Sequence, residues 1–542
     1  MAAAATSTQA QGKNIGSVEM LENSDSARKT DFQVLDANPD VEVVKIFEQA
    51  HGSDIWDPEE EKALVRKIDR RLLWILCIVY PLQAYDKTVL GQTAIFGIVQ
   101  DLHLTGNQYV MCSAFLYIGY FCGSYPASLL GQLYPVERVA ACLILTWGLC
   151  LTLSIVCTDF QGLVTERVFL GFLEGGLSPL CMLIIGSWYT KSEQALRIGI
   201  WWCSSGYAGF FAPLINYGIG QIKGGSLKSW QYMFLFAGAF TMLWSFIVWF
   251  LLPGDPLRAR GFDARERYIA IARLRTNNSG VRDQHWRKEQ VMEAFQDVRF
   301  WLMFFIAFFV MVGSGAYTTM TPIIINSLGF DSLHSLLISC PTGIVIGTVE
   351  LVGAYVTYRT QNLRCIMMVV FQIPVFVGGL LLWLLPRSQT GPLLFALYVI
   401  PCFGGTYCLA LALTLANCGG YTKRTVFAAA IFTGYCCGSL AGPLTFKAND
   451  APGYAPAFIF LVVATIMCVI LTLTYRYVCK RDNRKRDAAG ITEGFDHAYD
   501  DDMTDKLGTN KAVLRSEPTI SLYLLRRKVC SVFQERLTTT YH

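Results

Sequence analysis

Apolar residues fill twelve helix-length runs along this chain, each separated from the next by a polar break. The runs cover residues 72–91, 109–130, 139–157, 163–188, 198–219 and 232–252, and, after a long charged interval, 300–325, 335–357, 365–385, 392–417, 426–446 and 456–478. Crossing a bilayer core takes about 20 predominantly apolar residues in a helix. None of the runs alternates polar and apolar positions as barrel strands do. Inside hydrocarbon each segment must satisfy its own backbone polar groups, so the pattern predicts α-helices. The expected fold class is an all-α membrane protein with twelve transmembrane helices in two six-helix halves. The expected organisation is a largely disordered cytoplasmic region at 1–71, a first half at 72–252, a basic cytoplasmic linker at 253–299, a second half at 300–478 and a cytoplasmic tail at 479–542.

The polar intervals orient the runs. The central interval carries Arg258, Arg260, Arg265, Arg267, Arg273, Arg275, Arg282, Arg287, Lys288 and Arg299, which marks a cytoplasmic loop. Alternating from there puts both termini inside and leaves Lys223, Lys228, Arg387 and Lys447 on the opposite side. An N-x-S sequon at Asn277 falls in the same loop and is expected to stay unglycosylated. Residues 1–70 are polar and charged, so the first run is expected to serve for insertion.

Composition agrees. The 542 residues are 53 % hydrophobic against 16 % charged, with mean hydropathy +0.38, outside the range of ordinary soluble domains. The net charge of +4 adds little. The 18 cysteines lie mostly within the runs, without CxxC pairs or metal-ligand spacing, and read as small buried hydrophobes. No GxxxxGK[ST] loop is present and the six His lack metal spacing, so neither ATP-driven pumping nor an enzyme is expected.

The two sets of six runs share an internal offset. Tyr189-Thr190-Lys191 recurs as Tyr421-Thr422-Lys423, 232 positions on, and the same shift takes Ala84-Tyr85 to Ala316-Tyr317 and Gly206 to Gly438. This suggests parallel repeats around a central site. Under that offset Asp86 and Lys87 become Thr318 and Thr319, while Arg167 and Glu174 become Val399 and Thr406. One half therefore manages without charges, which argues that the other keeps them for chemistry.

A charged side chain at mid-bilayer costs roughly 2.5–3.5 kcal/mol on insertion scales. Asp86 lies about 21 Å into the first run at 1.5 Å per residue, too deep for easy snorkelling. Arg167 and Glu174 are seven residues apart, placing them on one helix face about 10.5 Å from each other. Two readings stand. Asp86 with Arg167, or Lys87 with Glu174, could be structural ion pairs, though such pairs often bring little net stability. Alternatively Lys87 and Arg167 hold an anionic substrate while Asp86 and Glu174 carry protons. Tyr117, Tyr207, Thr406 and Asn417 are further candidates for lining a cavity. Glu350, near the cytoplasmic end of its run, suggests a gate.

At "YDKTVLGQTAIFGIVQDL", "QYVMCSAFLYIGYFCGSYPASLL" and "RVFLGFLEGGLSPLCMLIIGSWYTKSEQALRIGIWW" the sequence resembles the fungal allantoate permease family, in the anion:cation symporter branch of the major facilitator superfamily. The resemblance implies the major facilitator fold and proton-coupled transport of small organic anions such as allantoate, nicotinate or pantothenate. It also implies coupling and anion-binding roles for Asp86, Lys87, Arg167 and Glu174. The superfamily's signature after the second helix is reduced here to "GQLYPVERV", leaving Gly131, Glu137 and Arg138 for gating. Beyond Lys506 the sequence departs from the family pattern, and an extended regulatory tail and a gene-model read-through both stay open. The expected partners are a small organic anion, the proton and membrane lipid, without nucleic acid, on a monomer in the plasma membrane. No cofactor is expected, the proton gradient being the driving force. Efflux of a secondary metabolite, or a role as nutrient receptor or scaffold, is the competing reading.

Overall fold

The computed structural model describes residues 56–222, 225–256, 259–276, 288–360, 362–418 and 421–488. The sequon at Asn277, most of the region 1–71 and the tail beyond residue 488 lie outside the described residues. Each predicted run is helical: α1 (Trp74–Ala94), α2 (Gln108–Leu133), α3 (Val136–Leu153), α4 (Phe160–Glu174, continued by Leu177–Trp188), α5 (Lys191–Gly220), α6 (Ser229–Leu251), α7 (Val298–Gly315, continued by Ala316–Met320 and Thr321–Ser327), α8 (Ser332–Ser339, continued by Pro341–Arg359), α9 (Arg364–Leu384), α10 (Thr390–Val399, continued by Ile400–Cys402 and Phe403–Ala416), α11 (Tyr421–Leu444) and α12 (Ala455–Ala488). No strand occurs among the described residues.

Nine of these segments, among the described residues, are long and apolar enough to cross a membrane by length and composition. The exceptions are α1, α2 and α5, whose Tyr, Gln, Gly and Ser content dilutes their hydropathy. Helix starts follow ordinary capping chemistry. The Asp159 carboxylate accepts from the Gly162 N–H at 2.8 Å, and Thr190 with Glu193 forms a capping box on α5. The helical structure begins earlier than the apolar pattern, at Pro58–Ile68, followed by a π-helical turn at Asp69–Leu73.

Helix pairs related by the 232-residue offset pack alike. α1 packs on α5 as α7 does on α11, α2 on α4 as α8 on α10, and α3 on α6 as α9 on α12. The two sets meet where α5 packs on α8 and α2 on α11, which are again offset partners. The closest approach is between α2 and α4. A Cβ on Gly119 or Gly123 would stand 2.0 Å from the Val168 carbonyl oxygen or 1.8 Å from that of Phe172, and one on Gly171 or Gly175 would stand 2.0 Å from Leu116 O or 2.3 Å from Tyr120 O. Between lipid-soluble helices such backbone proximity supplies the packing energy. Gly123→Val is therefore expected to eliminate the monodisperse peak in size-exclusion chromatography. Gly218→Val, where a Cβ meets nothing within 4 Å, should leave it; equal behaviour of the two variants would refute this account.

Each repeat also ties its first helix to its fifth. Asp69, just before α1, accepts from Tyr189 Oη at 2.8 Å and pairs with Arg197 of α5 at 3.0 Å. In the second set Lys423 of α11 is fully buried and pairs with Glu293 at 2.9 Å and Asp297 at 3.2 Å. Burial works against the charge on Asp297, but hydrogen bonds from Arg299 and the nearby Lys423 ammonium outweigh it and hold the carboxyl at about 2. Lys423 is thus an anchor within the second set.

A separate small unit includes the described residues 56–67 and 256–276. In it Glu60 receives a two-armed contact from Arg265 at 2.5 and 2.9 Å, and Lys67 pairs with Glu266 at 2.6 Å. The linker predicted at 253–299 is accordingly helical in part, over Ala264–Thr276 and Lys288–Gln296.

Candidate functional site

The charges of α1 and α4 lie buried, as their positions in the runs suggest, but their partners differ from simple expectation. Lys87 reaches Glu174 Oε1 at 3.4 Å, donates to Tyr120 Oη at 3.1 Å and to Tyr435 Oη at 3.4 Å, and rests 4.6 Å from the Tyr120 ring centroid. Tyr435 belongs to α11, so this ammonium is held by groups from both six-helix sets. Tyr117 packs beside it, its ring 6.0 Å from that of Tyr435. Gln83 completes the α1–α4 contact by donating to the Glu174 carbonyl at 3.0 Å.

Arg167 does not approach Glu174 across a substrate-sized gap. It pairs with its sequence neighbour Glu166 at 3.2 Å and stacks 5.1 Å from the Phe234 ring of α6, so it sits inside the first set of helices and does not line the cavity described below. Adjacent helical residues point about 100° apart and are not expected to meet, which is why Glu166 escapes a sequence reading. Arg167 is long enough to fold back. Asp86 is 1 % exposed, and its carboxylate oxygens have the Trp147 side chain as a neighbouring donor but no well-formed hydrogen bond among the described residues. Its electrostatic neighbours are Glu174, Arg167 and Glu166. This cluster therefore sets three carboxylates against two cations, Lys87 and Arg167.

A cavity of about 90 Å³ opens between the two sets of helices. Lys87 and Glu350 are the charged side chains lining it among the described residues. Its aromatic wall runs from Tyr80 to Trp202 (5.1 Å between ring centroids), on to Tyr407 (5.3 Å) and Tyr435 (5.4 Å). Glu350 thus lines the same cavity as Lys87. The uncharged polar residues of the C-terminal set that face the cavity are Ser314, Tyr317, Thr318, Tyr407 and Tyr435.

Three sequence candidates lie elsewhere. Thr406 is fully buried and donates to the Met368 carbonyl at 3.1 Å, a helix-packing bond. Asn417 donates to Tyr475 Oη at 3.0 Å, at the end of α10. Tyr207 meets Thr348 at 3.4 Å on an exposed flank, its ring covering Gly347. None of the three lines the cavity, and neither does Tyr117, because rotation about the helix axis, invisible in a continuously apolar run, turns them to other neighbours. In the reduced loop after α2, Gly131 packs on Leu180, the Glu137 carboxylate lies against Gly254, and Arg138 lies over the Trp249 ring at 5.9 Å.

The sequence pattern of the Major Facilitator Superfamily matches residues 76–443. The chain belongs to that superfamily. It is 30 % identical over 455 residues to the thiamine pathway transporter of Saccharomyces cerevisiae, covering 83 % of this chain and 85 % of that protein. It is 28 % identical over 469 residues to the allantoate permease of the same yeast, covering 84 % and 86 %. Among solved structures, a major facilitator proton:xylose symporter bound to 6-bromo-6-deoxy-D-glucose is similar in fold, with TM-score 0.59 at 15 % identity, covering 75 % of this chain and 95 % of that one. This major facilitator protein is a multi-pass membrane transporter, and a cavity between six-helix sets is where such a protein takes a small molecule.

Proposed function

We propose that this transporter is a proton-coupled symporter importing a small organic anion, a carboxylate nutrient such as allantoate, nicotinate or pantothenate, by alternating access. The observation that carries the reading is the 3.4 Å Lys87–Glu174 pair at the cavity wall. Lys87 is the cation an entering carboxylate meets, and that carboxylate competes with Glu174 for it. A buried carboxylate stripped of its cation is costly while ionised, and taking up a proton removes the charge. Anion binding and proton binding then favour one another, which is the thermodynamic content of symport. Asp86, without a well-formed hydrogen bond among the described residues and in a cluster with one more carboxylate than cations, is the second proton carrier. Arg167 balances charge within the cluster and holds the fourth helix in register with it. The protein works without a cofactor, as a monomer in the plasma membrane with both termini cytoplasmic. Gly131, Glu137 and Arg138 belong to the gating loop.

The test is uptake of labelled allantoate, nicotinate and pantothenate, at two external pH values, in cells lacking their own permeases for them. Import of one of the three should rise with acidity. In Asp86→Asn, which keeps shape and loses the titrating group, entry should continue down the gradient while accumulation above equilibrium and its pH dependence disappear. A variant that still concentrates substrate in a pH-dependent way removes Asp86 from coupling. Resistance to an endogenous metabolite that falls on deletion, with no uptake defect, would indicate efflux instead.

A further inference from the structure

Glu350 has no role in that account, and its surroundings are unusual. The side chain is 2 % exposed, lines the cavity, and its Oε2 has no hydrogen-bond partner among the described residues. The other charged side chain of the cavity, Lys87, is held by Glu174. Space for the carboxylate is made by two glycines, one from each six-helix set: a Cβ on Gly404 of α10 would stand 2.7 Å from Oε1, and one on Gly206 of α5 would stand 3.1 Å from Oε2. The Trp202 side chain is the donor beside this carboxylate, and a buried carboxylate with a single neighbouring donor keeps acceptor capacity that calls for a specific explanation. Here the acceptor faces the cavity, walled by Trp202, Tyr407 and Tyr435, and aromatic faces attract cationic and planar N–H groups.

We propose that the cavity is built for an amphoteric molecule, with a carboxylate held at Lys87 and an N–H donor, amine or amide, held by Glu350. The inference rests on the anion-binding role of Lys87 proposed above and adds a second, oppositely directed contact. The two contacts come from different six-helix sets, so a molecule long enough to touch both bridges them. A simple carboxylate engages one side alone and leaves Glu350 unsatisfied. A site designed around a hydrogen bond rejects analogues that lack the donor, because its buried polar group is then left unpaired.

The experiment uses the purified full chain in nanodiscs and two pairs of probes matched in shape, 4-aminobutyrate against pentanoate and succinamate against levulinate. In each pair a methyl group replaces the nitrogen. Wild type should bind the nitrogen member at least tenfold more tightly. Glu350→Ala should bring each pair to within about twofold without weakening pentanoate. Glu350→Gln, of the same shape and still an acceptor, should keep the succinamate preference and lose that for 4-aminobutyrate, which also guards against misfolding as the cause. Equal affinity within both pairs in wild type, with Lys87→Ala abolishing all binding, overturns the Glu350 contact and leaves the anion reading standing. So does uniform weakening of all four probes in Glu350→Ala. Binding that survives Lys87→Ala overturns the anion reading itself, and binding of none of the four overturns both.

Discussion

Lys87→Met is expected to reduce uptake by roughly a hundredfold or more at unchanged surface expression. The substitution keeps the apolar stem and removes the ammonium that Glu174, Tyr120 and Tyr435 share. Truncating one partner of a buried, hydrogen-bonded charge pair costs about 2–5 kcal/mol, and every 1.4 kcal/mol is about tenfold. The loss should appear in both substrate affinity and maximal rate, because the carboxylate has no other cation to meet and Glu174 no longer needs displacing. Lys87→Arg keeps the charge but presents a planar fork in place of a compact ammonium, so partial activity is expected. Initial rates of uptake over a substrate range provide the measurement. Full activity in Lys87→Met would remove the ammonium from substrate binding.

Arg167→Met should act on the fold before it acts on transport. It removes the cation paired with buried Glu166 and electrostatically close to buried Asp86, and stranding a buried charge costs about 3–5 kcal/mol. Little folded protein should reach the membrane, and what is purified should melt earlier. The double variant Arg167→Met with Glu166→Gln removes one charge of each sign and should recover most of that stability, since partners in contact are strongly non-additive. Its transport then separates two roles. Uptake in the stable double variant means Arg167 is a charge-balancing residue, whereas a stable but inactive protein returns it to the substrate path. An Arg167→Met single variant of normal stability would show that the Glu166 pair carries no weight.

Particular residues show how far a linear reading reaches. Asp86, Lys87, Arg167 and Glu174 stand out in sequence because a charge in an apolar run is expensive wherever the helix lies, and all four are largely buried. Their pairing is another matter. The seven-residue spacing put Arg167 and Glu174 on one face with a gap between them, yet one turned to Glu166 and the other to Lys87. Thr406, Tyr207 and Asn417 were plausible by type and depth but face neighbouring helices, whereas Tyr435 and Trp202, which do line the cavity, carry no charge to distinguish them from packing aromatics.

Sequence alone determined the helical class, the places of the apolar runs, the offset relating the two halves and the charges within α1 and α4, because hydrophobicity, capping and chain length act locally and leave their mark residue by residue. Only the tertiary structure decided which charges meet, that Glu350 shares a cavity with Lys87, and which aromatic rings wall it. Those relations depend on the rotation and closeness of helices that are distant in sequence. That rotation shows in close approaches such as Gly123 to the Phe172 backbone and Gly404 to the Glu350 side chain, and a run that is apolar all round does not encode which of its faces turns inward.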